Sequence, residues 1–339
     1  MTGTNALDVS LRAQVRLPVM AGPMFITSTA ELVIAQCNAE IIGAMPALNP
    51  RSSPALDENV ARIRENVDGL SYGINLVAHH SNDRLEADLG VVLRHKVPIV
   101  VVALAANPDL VKELQANGCL VFQDVVRNRH ARKCAEMGVD GIIAIGAGAG
   151  GHTGNQSPFA LMQEIREWWD GLLILSGCVA TERSVLAAEV LGADLAYIGS
   201  AFLASDEANT QESFKKMIIE CSATDIVTSN GFTGVDANFL RPSIIANGLD
   251  PKALQRPRGL EVSVTRGGPT TRLGATSGAP GKELVPSSAP SRLPPILIGW
   301  PTTMRVRAAR WGWHEPPGRP LLQTLGCRAG EQFRDPPGR

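Results

Sequence analysis

From Leu17 to about Asn209 one unit recurs eight times: a short apolar run, a turn carrying Gly, Asn or Ser, then an amphipathic helical segment. The runs are LPVMAGPM from Leu17, EIIGAM from Glu40, SYGINLV from Ser71 and PIVVVAL from Pro98, then CLVFQDV from Cys119, GIIAIG from Gly141, LLILSG from Leu172 and LAYIGSAF from Leu195. Runs apolar on both faces belong to a parallel sheet covered by helices, because neither face of such a strand tolerates water. Helical segments such as STAELVIAQC, NPDLVKELQANG and RNRHARKCAEMG lie between them, and Gly118, Gly138 and Gly192 follow three of these where a left-handed C-terminal cap is expected. Eight strand–helix units in about 250 residues match the count and size of a TIM (β/α)8 barrel. The rival, an open doubly wound sheet, would open its first helix with a G-x-G-x-x-G turn. This chain has AGPMFITS there.

Composition narrows the function classes. The net charge of -1 offers no basis for a nucleic-acid or membrane-surface partner. The longest apolar run, residues 97–106, is shorter than the roughly 20 residues that cross a bilayer. The N-terminal stretch has no apolar signal core, so a cytoplasmic location is expected. Six cysteines are scattered without a C-x-x-C pair, which predicts free thiols and no metal centre. His79 and His80 adjoin, but no nearby carboxylate or cysteine completes a ligand set.

The chemistry-bearing residues collect at the C-terminal ends of the strands, where barrels of this class hold their active sites. They are Gly22, Pro23 and Met24, then Asn75, Gln123 beside Asp124, the stretch GAGAGGHTG containing Gly151 and His152, Ser176 with Gly177, and Gly199 with Ser200. Turns alone favour Gly, Asn and Ser, so it is the set that points to a ligand. Glycines end the seventh and eighth strands and TERSVLAA opens the next helix, an arrangement suited to phosphate.

These segments resemble the FMN-dependent nitronate monooxygenases. The resemblance is carried by AGPMFI, YGINLVAHHSN, VFQDV, GAGAGGHTGNQSPFAL, SGCVATERSVLAA and GADLAYIGSAFLASDEA. It implies a TIM barrel that holds FMN and uses O2 to convert alkyl nitronates, or the parent nitroalkanes, to carbonyl compounds and nitrite. It implies Gly22, Pro23, Met24, Asn75 and Gln123 around the isoalloxazine, and Gly151, Ser176, Gly177, Gly199 and Ser200 around the ring edge, ribityl chain and phosphate. His152 would be the catalytic residue, taking the α-proton of a neutral nitroalkane or holding the anionic nitronate. The glycines beside it would let the backbone lie against a flat ring. Departures from the family pattern are His80 in place of proline and Glu182 in place of glycine. A small-molecule substrate and O2 are the implied partners, with a homodimer as the possible assembly. The alternatives are a flavin-dependent enoyl-thioester (enoyl-ACP) reductase on the same barrel, and a barrel inactivated by loss of its C-terminal segment.

The chain changes character at about residue 256. Residues 1–255 are expected to form the FMN-binding barrel. From Arg256 onward twelve arginines and one lysine face five acidic residues, and 13 of the 23 prolines lie there. Such a Pro/Arg-rich tail reads as disordered. Back-translating LGATSGAPGKELVPS and reading one base earlier permits AWRDIWSAGQGVGSI, which looks like the family's C-terminal segment. The expectation is that residues 256–339 are translated out of frame.

Overall fold

A computed structural model describes residues 11–254, apart from 12, 105–106, 233 and 253. The tail, with its expected disorder and frame change, lies outside the described residues.

All eight apolar runs are strands of one parallel sheet. In chain order they are β1 (Val19–Ala21), β2 (Gly43–Pro46), β3 (Tyr72–Val77), β4 (Ile99–Ala103), β5 (Leu120–Val125), β6 (Gly141–Ile145), β8 (Leu172–Ser176) and β9 (Leu195–Ile198). β7 is a short strand outside this sheet, described below. The lateral order is β1-β9-β8-β6-β5-β4-β3-β2. The two ends meet: Met20 bridges to Ile42, with Ala21 N–H donating to the Ile42 carbonyl at 2.7 Å. The sheet is therefore a barrel, as the repeat count predicts.

Alternate residues separate into two apolar layers. Met20, Ile42, Ala44, Ile99, Val101, Phe122, Ile143, Leu172, Ile174 and Leu195 fill the barrel interior. Their strand neighbours, including Ala21, Ile74, Val100, Val121, Ile142, Leu173 and Ala196, pack outward against the helices. Burial on both sides is why the strands read as unbroken apolar runs.

The helices are α1 (Ala30–Asn38), α2 (Ser53–Asn66), α3 (Leu85–His95), α4 (Pro108–Ala116), α5 (Asn128–Glu136), α6 (Pro158–Arg166) and α7 (Glu182–Val190). Side-chain caps start several of them: Thr29 accepts from Leu32 N–H at 3.3 Å, and Asn107 from Asp109 N–H at 3.1 Å with Pro108 in the first turn. Gly118, Gly138 and Gly192 all take positive φ, as expected for helix ends. Two aspartates anchor strands at the opposite end of the barrel from the site. Asp140 accepts from Val121 N–H at 2.8 Å, and Asp194 from Leu173 N–H at 2.6 Å.

Beyond β9 the chain adds a 3-10 turn (Ser200–Ala204) and α8 (Glu212–Glu220). A hairpin of β10 (Ile226–Ser229) and β11 (Ala237–Leu240) follows, then α9 (Arg241–Ala246). No helix among the described residues is long and apolar enough to cross a membrane. Among the described residues Cys37, Cys119, Cys134, Cys178 and Cys221 are free thiols, and of these only Cys178 is exposed.

Candidate active site

The loop that follows β6 is tied down at every turn. Gly146 N–H donates to the Ser176 carbonyl at 2.9 Å and Ala147 N–H to the Gln156 carbonyl at 2.7 Å. Gly148 (φ +84°) lies so close to the next loop that a Cβ there would collide with the Cys178 sulfur. Cys178 N–H closes the contact on the Gly148 carbonyl at 3.3 Å. Gly177 (φ +115°) faces back, and a Cβ there would sit 3.1 Å from the carbonyl oxygens of Gly146 and Ala147. At these positions the absent side chains serve contact between the two loops.

β7 (Gly151–His152) then pairs antiparallel with β11, His152 opposite Ala237 and Gly151 opposite Asn238. Thr153 N–H adds a bond to the Asp236 carbonyl at 3.0 Å. The candidate catalytic histidine thus sits on a strand of a three-stranded sheet. Solvent reaches its ring, yet protein surrounds it closely enough that desolvation lowers its pKa from the usual value. At neutral pH the ring is uncharged and able to accept a proton.

The sheet register shows which side chains enter the mouth. Ile145, Ser176 and Tyr197 lie in one lateral row, and Ile145 and Tyr197 pack with the interior cluster. Asn75 pairs with interior Val101 and donates its side-chain amide to that residue's carbonyl at 3.1 Å. On β5, Asp124 pairs with interior Ile143, whereas Gln123 pairs with outward-facing Ile142. Strand alternation therefore turns Gln123 toward the helices and Asp124 into the mouth. Water reaches the Asp124 carboxyl, but dense surroundings desolvate it and push it up to about 6.

Gly22, Met24 and Gly199 form an adjoining wall. Gly22 N–H donates to the Ile198 carbonyl at 2.8 Å. A Cβ on Gly22 would touch Gly199 Cα at 3.5 Å, and one on Gly199 would lie 3.6 Å from the Met24 sulfur. Asn49 holds the Pro23–Met24 turn from outside. Its side chain donates to the carbonyls of Met24 (3.0 Å) and Ser28 (2.6 Å) and accepts from Ile26 N–H (2.8 Å). Sequence reasoning passed over both Asn49 and Asn238, since neither sits in a recognisable motif.

The structure brings Gly22, Met24, Gly199, Ser200, Ser176, Gly177, Gly151 and His152 together on the contiguous arc β1-β9-β8-β6, with Asn75 across the barrel. It leaves Gln123 outside that group. The start of α7 is self-contained: Ala180 and Thr181 N–H donate to Ser184 Oγ at 3.0 and 2.8 Å. His79 is engaged locally with Ser81 at 2.8 Å and lies against His80.

The profile of the nitronate monooxygenases matches residues 80–255, more than half of the chain. The chain belongs to the nitronate monooxygenase family. This is a family of flavin-dependent oxidoreductases. A nitronate monooxygenase family member of Bacillus subtilis, named a probable nitronate monooxygenase, is 32% identical over 159 residues, covering 44% of this chain and 46% of its own. An octahydro-indene-carboxyl-CoA dehydrogenase of Mycobacterium tuberculosis is 26% identical over 235 residues, 67% of this chain and 64% of its own. Among solved structures, FabK from Thermotoga maritima superposes with a TM-score of 0.65 at 25% identity, covering 72% of this chain and 77% of that one. The matches to the first curated relatives span 41% to 64% of their length.

Proposed function

We propose that this chain binds FMN at the barrel mouth and oxidises alkyl nitronates with O2 to carbonyl compounds and nitrite. His152 is the residue that handles the substrate's α-proton. The observation that carries this reading is the placement of His152. An uncharged imidazole stands on a strand pinned to β11, at the end of the loop that packs against Gly177.

The residues present fit an FMN. Gly22 and Gly199 bring two strand ends into backbone contact beside the Met24 side chain, a low wall against which a flat ring can lie. Asn75 and Ser176 supply inward polar atoms, and the Gly177 and Ser200 turns supply backbone for a phosphate. When bound, the flavin supplies the redox chemistry with O2. The chain's own part is proton transfer and orientation. The neutral His152 ring accepts the α-proton of a nitroalkane, or donates a hydrogen bond to the nitro oxygens of a nitronate. Asn75 is held to β4 by the hydrogen bond of its side-chain amide to the Val101 carbonyl.

The test has two parts. Purified protein should carry about one FMN, read from its absorption spectrum. His152→Asn should keep the flavin and slow neutral nitroalkanes by roughly 10² to 10⁴, the scale of a lost general base. Preformed nitronates should lose less. Undiminished turnover of both forms in the variant would show that His152 has no catalytic part.

A second reading, flavin-dependent reduction of an enoyl thioester, draws on the match to a relative named for a carboxyl-CoA substrate. Flavin reduction by NADPH in the absence of nitronate, followed by reoxidation by an enoyl thioester, would favour it.

A further inference from the structure

We infer that Arg84 is a positioning residue for the cofactor wall: it clamps the loop after β2, and the Asn49 side chain of that loop in turn fixes the Pro23–Met24 turn. The inference rests on the proposed FMN site and adds Arg84 and Asp88 to the residues that shape it.

The seam of the barrel shows what the clamp does. β1 and β2 meet through Ala21 N–H on the Ile42 carbonyl at 2.7 Å and Ile42 N–H on the Val19 carbonyl at 3.1 Å. One residue further on, Gly22 N–H turns away to the Ile198 carbonyl of β9. Beyond that point the chain after β1 is joined to the β2 side by a side chain, with Asn49 bonded to Met24, Ile26 and Ser28. A side chain fixes a turn only as firmly as its own backbone is held.

Arg84 supplies that hold. Its Nη1 donates to the Pro50 carbonyl at 2.9 Å and its Nη2 to the Ala47 carbonyl at 3.4 Å, so the guanidinium grips the loop on both sides of Asn49. Ala47 N–H donates to the Asn75 carbonyl at 2.9 Å, which ties the same loop to β3. Asp88, buried in the first turn of α3, accepts from Arg84 Nη2 at 2.9 Å and from Ser53 Oγ at 2.6 Å. The carboxylate orients the guanidinium, and the planar fork lets one side chain serve two carbonyls and a carboxylate at once. The starts of α2 and α3 are thereby fastened to the loop that carries Asn49.

Amide exchange and FMN titration of the flavin-depleted full chain test this together. Arg84→Met combined with Asp88→Asn removes the clamp without leaving a lone buried carboxylate. This pair variant should speed exchange over residues 22–28, leave α6 at its wild-type rate, and weaken FMN binding about fivefold, as expected within one hydrogen-bonded network. Asn49→Ala should do the same, with the larger loss of affinity. Adding the pair change to Asn49→Ala should alter neither reading by more than about twofold, because the clamp acts through Asn49. A residue that only supports the fold would weaken binding equally in both backgrounds, and that result would overturn the inference. So would an unchanged exchange rate over residues 22–28 in the pair variant. Arg84→Lys keeps a charge beside Asp88 but lacks the fork. It should show the same coupling in smaller measure, and it stands in if the pair variant does not fold. Coupled exchange in a chain that takes up no FMN would overturn the proposed cofactor alone. FMN uptake with equal losses in both backgrounds would overturn the clamp alone.

Discussion

Asn238 donates its side-chain amide to the carbonyl of Ala149, 89 residues earlier in the chain, at 2.8 Å. Its own carbonyl oxygen accepts from the Thr228 hydroxyl at 2.5 Å, and the residue is almost fully buried. One side chain therefore joins both strands of the β10–β11 hairpin to the loop that carries His152.

Asn238→Ala should leave the Ala149 carbonyl buried and unpaired, at a cost of about 1–3 kcal/mol. Thermal unfolding should report this as a fall of several degrees. Turnover of neutral nitroalkanes should fall as well, with flavin content unchanged, because the defect lies in holding His152. Wild-type stability and turnover in this variant would show that the strand pairing alone holds the loop.

The desolvated His152 ring resists protonation, so its pH profile is displaced. The kcat/KM for a neutral nitroalkane should rise with pH to a plateau, with an apparent pKa below the usual histidine value of about 6.5. Steady-state rates from about pH 5 to pH 8 measure it. A midpoint above about 7 would mean that a negative charge, not desolvation, governs the ring.

Gly148→Ala should destabilise the loop twice over, through positive φ and through collision with the Cys178 sulfur. Cys178→Ala in the same chain removes the collision and leaves only ordinary contacts, at 3.8 Å from the Cys178 backbone N and 3.9 Å from its Cβ. The double variant should recover part of the lost stability, with the backbone strain of about 1–2 kcal/mol remaining. If the second change recovers nothing, the contact between the two loops does not limit the site.

Asn49→Ala should loosen the turn at Pro23 and Met24, since three backbone groups lose one shared partner. The expected result is a weaker FMN complex, about tenfold or more in Kd, with a smaller effect on kcat at saturating flavin. Fluorescence titration of flavin-depleted protein measures it. An unchanged Kd would show that this turn does not bear on the cofactor.

Asp124 links stability to pH with a definite sign. Desolvation raises its folded pKa to about 6, so its contribution is full below the unfolded value of about 4 and is lost as pH rises through about 6. Asp124→Asn should therefore raise the melting temperature at about pH 8 and lose that advantage at about pH 4. Thermal scans across this range decide it, and an advantage independent of pH would point to packing instead.

All eight barrel strands, their helices and the position of His152 after the sixth strand are determined by the sequence alone, because run length, turn residues and helical caps are local properties. Caps such as Thr29 and Asn107 lie within three residues of the amides they satisfy. The phase of each strand is a different matter. In VFQDV both faces are apolar-lined, so no alternation with water marks which of Gln123 and Asp124 points inward. Only the lateral pairing of Asp124 with Ile143 decides it. The partners of the His152 loop are equally hidden. Asn238 and Ala149 meet because the chain returns after the eighth strand to lay a hairpin against β7, and a contact across 89 residues leaves no periodic trace in either segment.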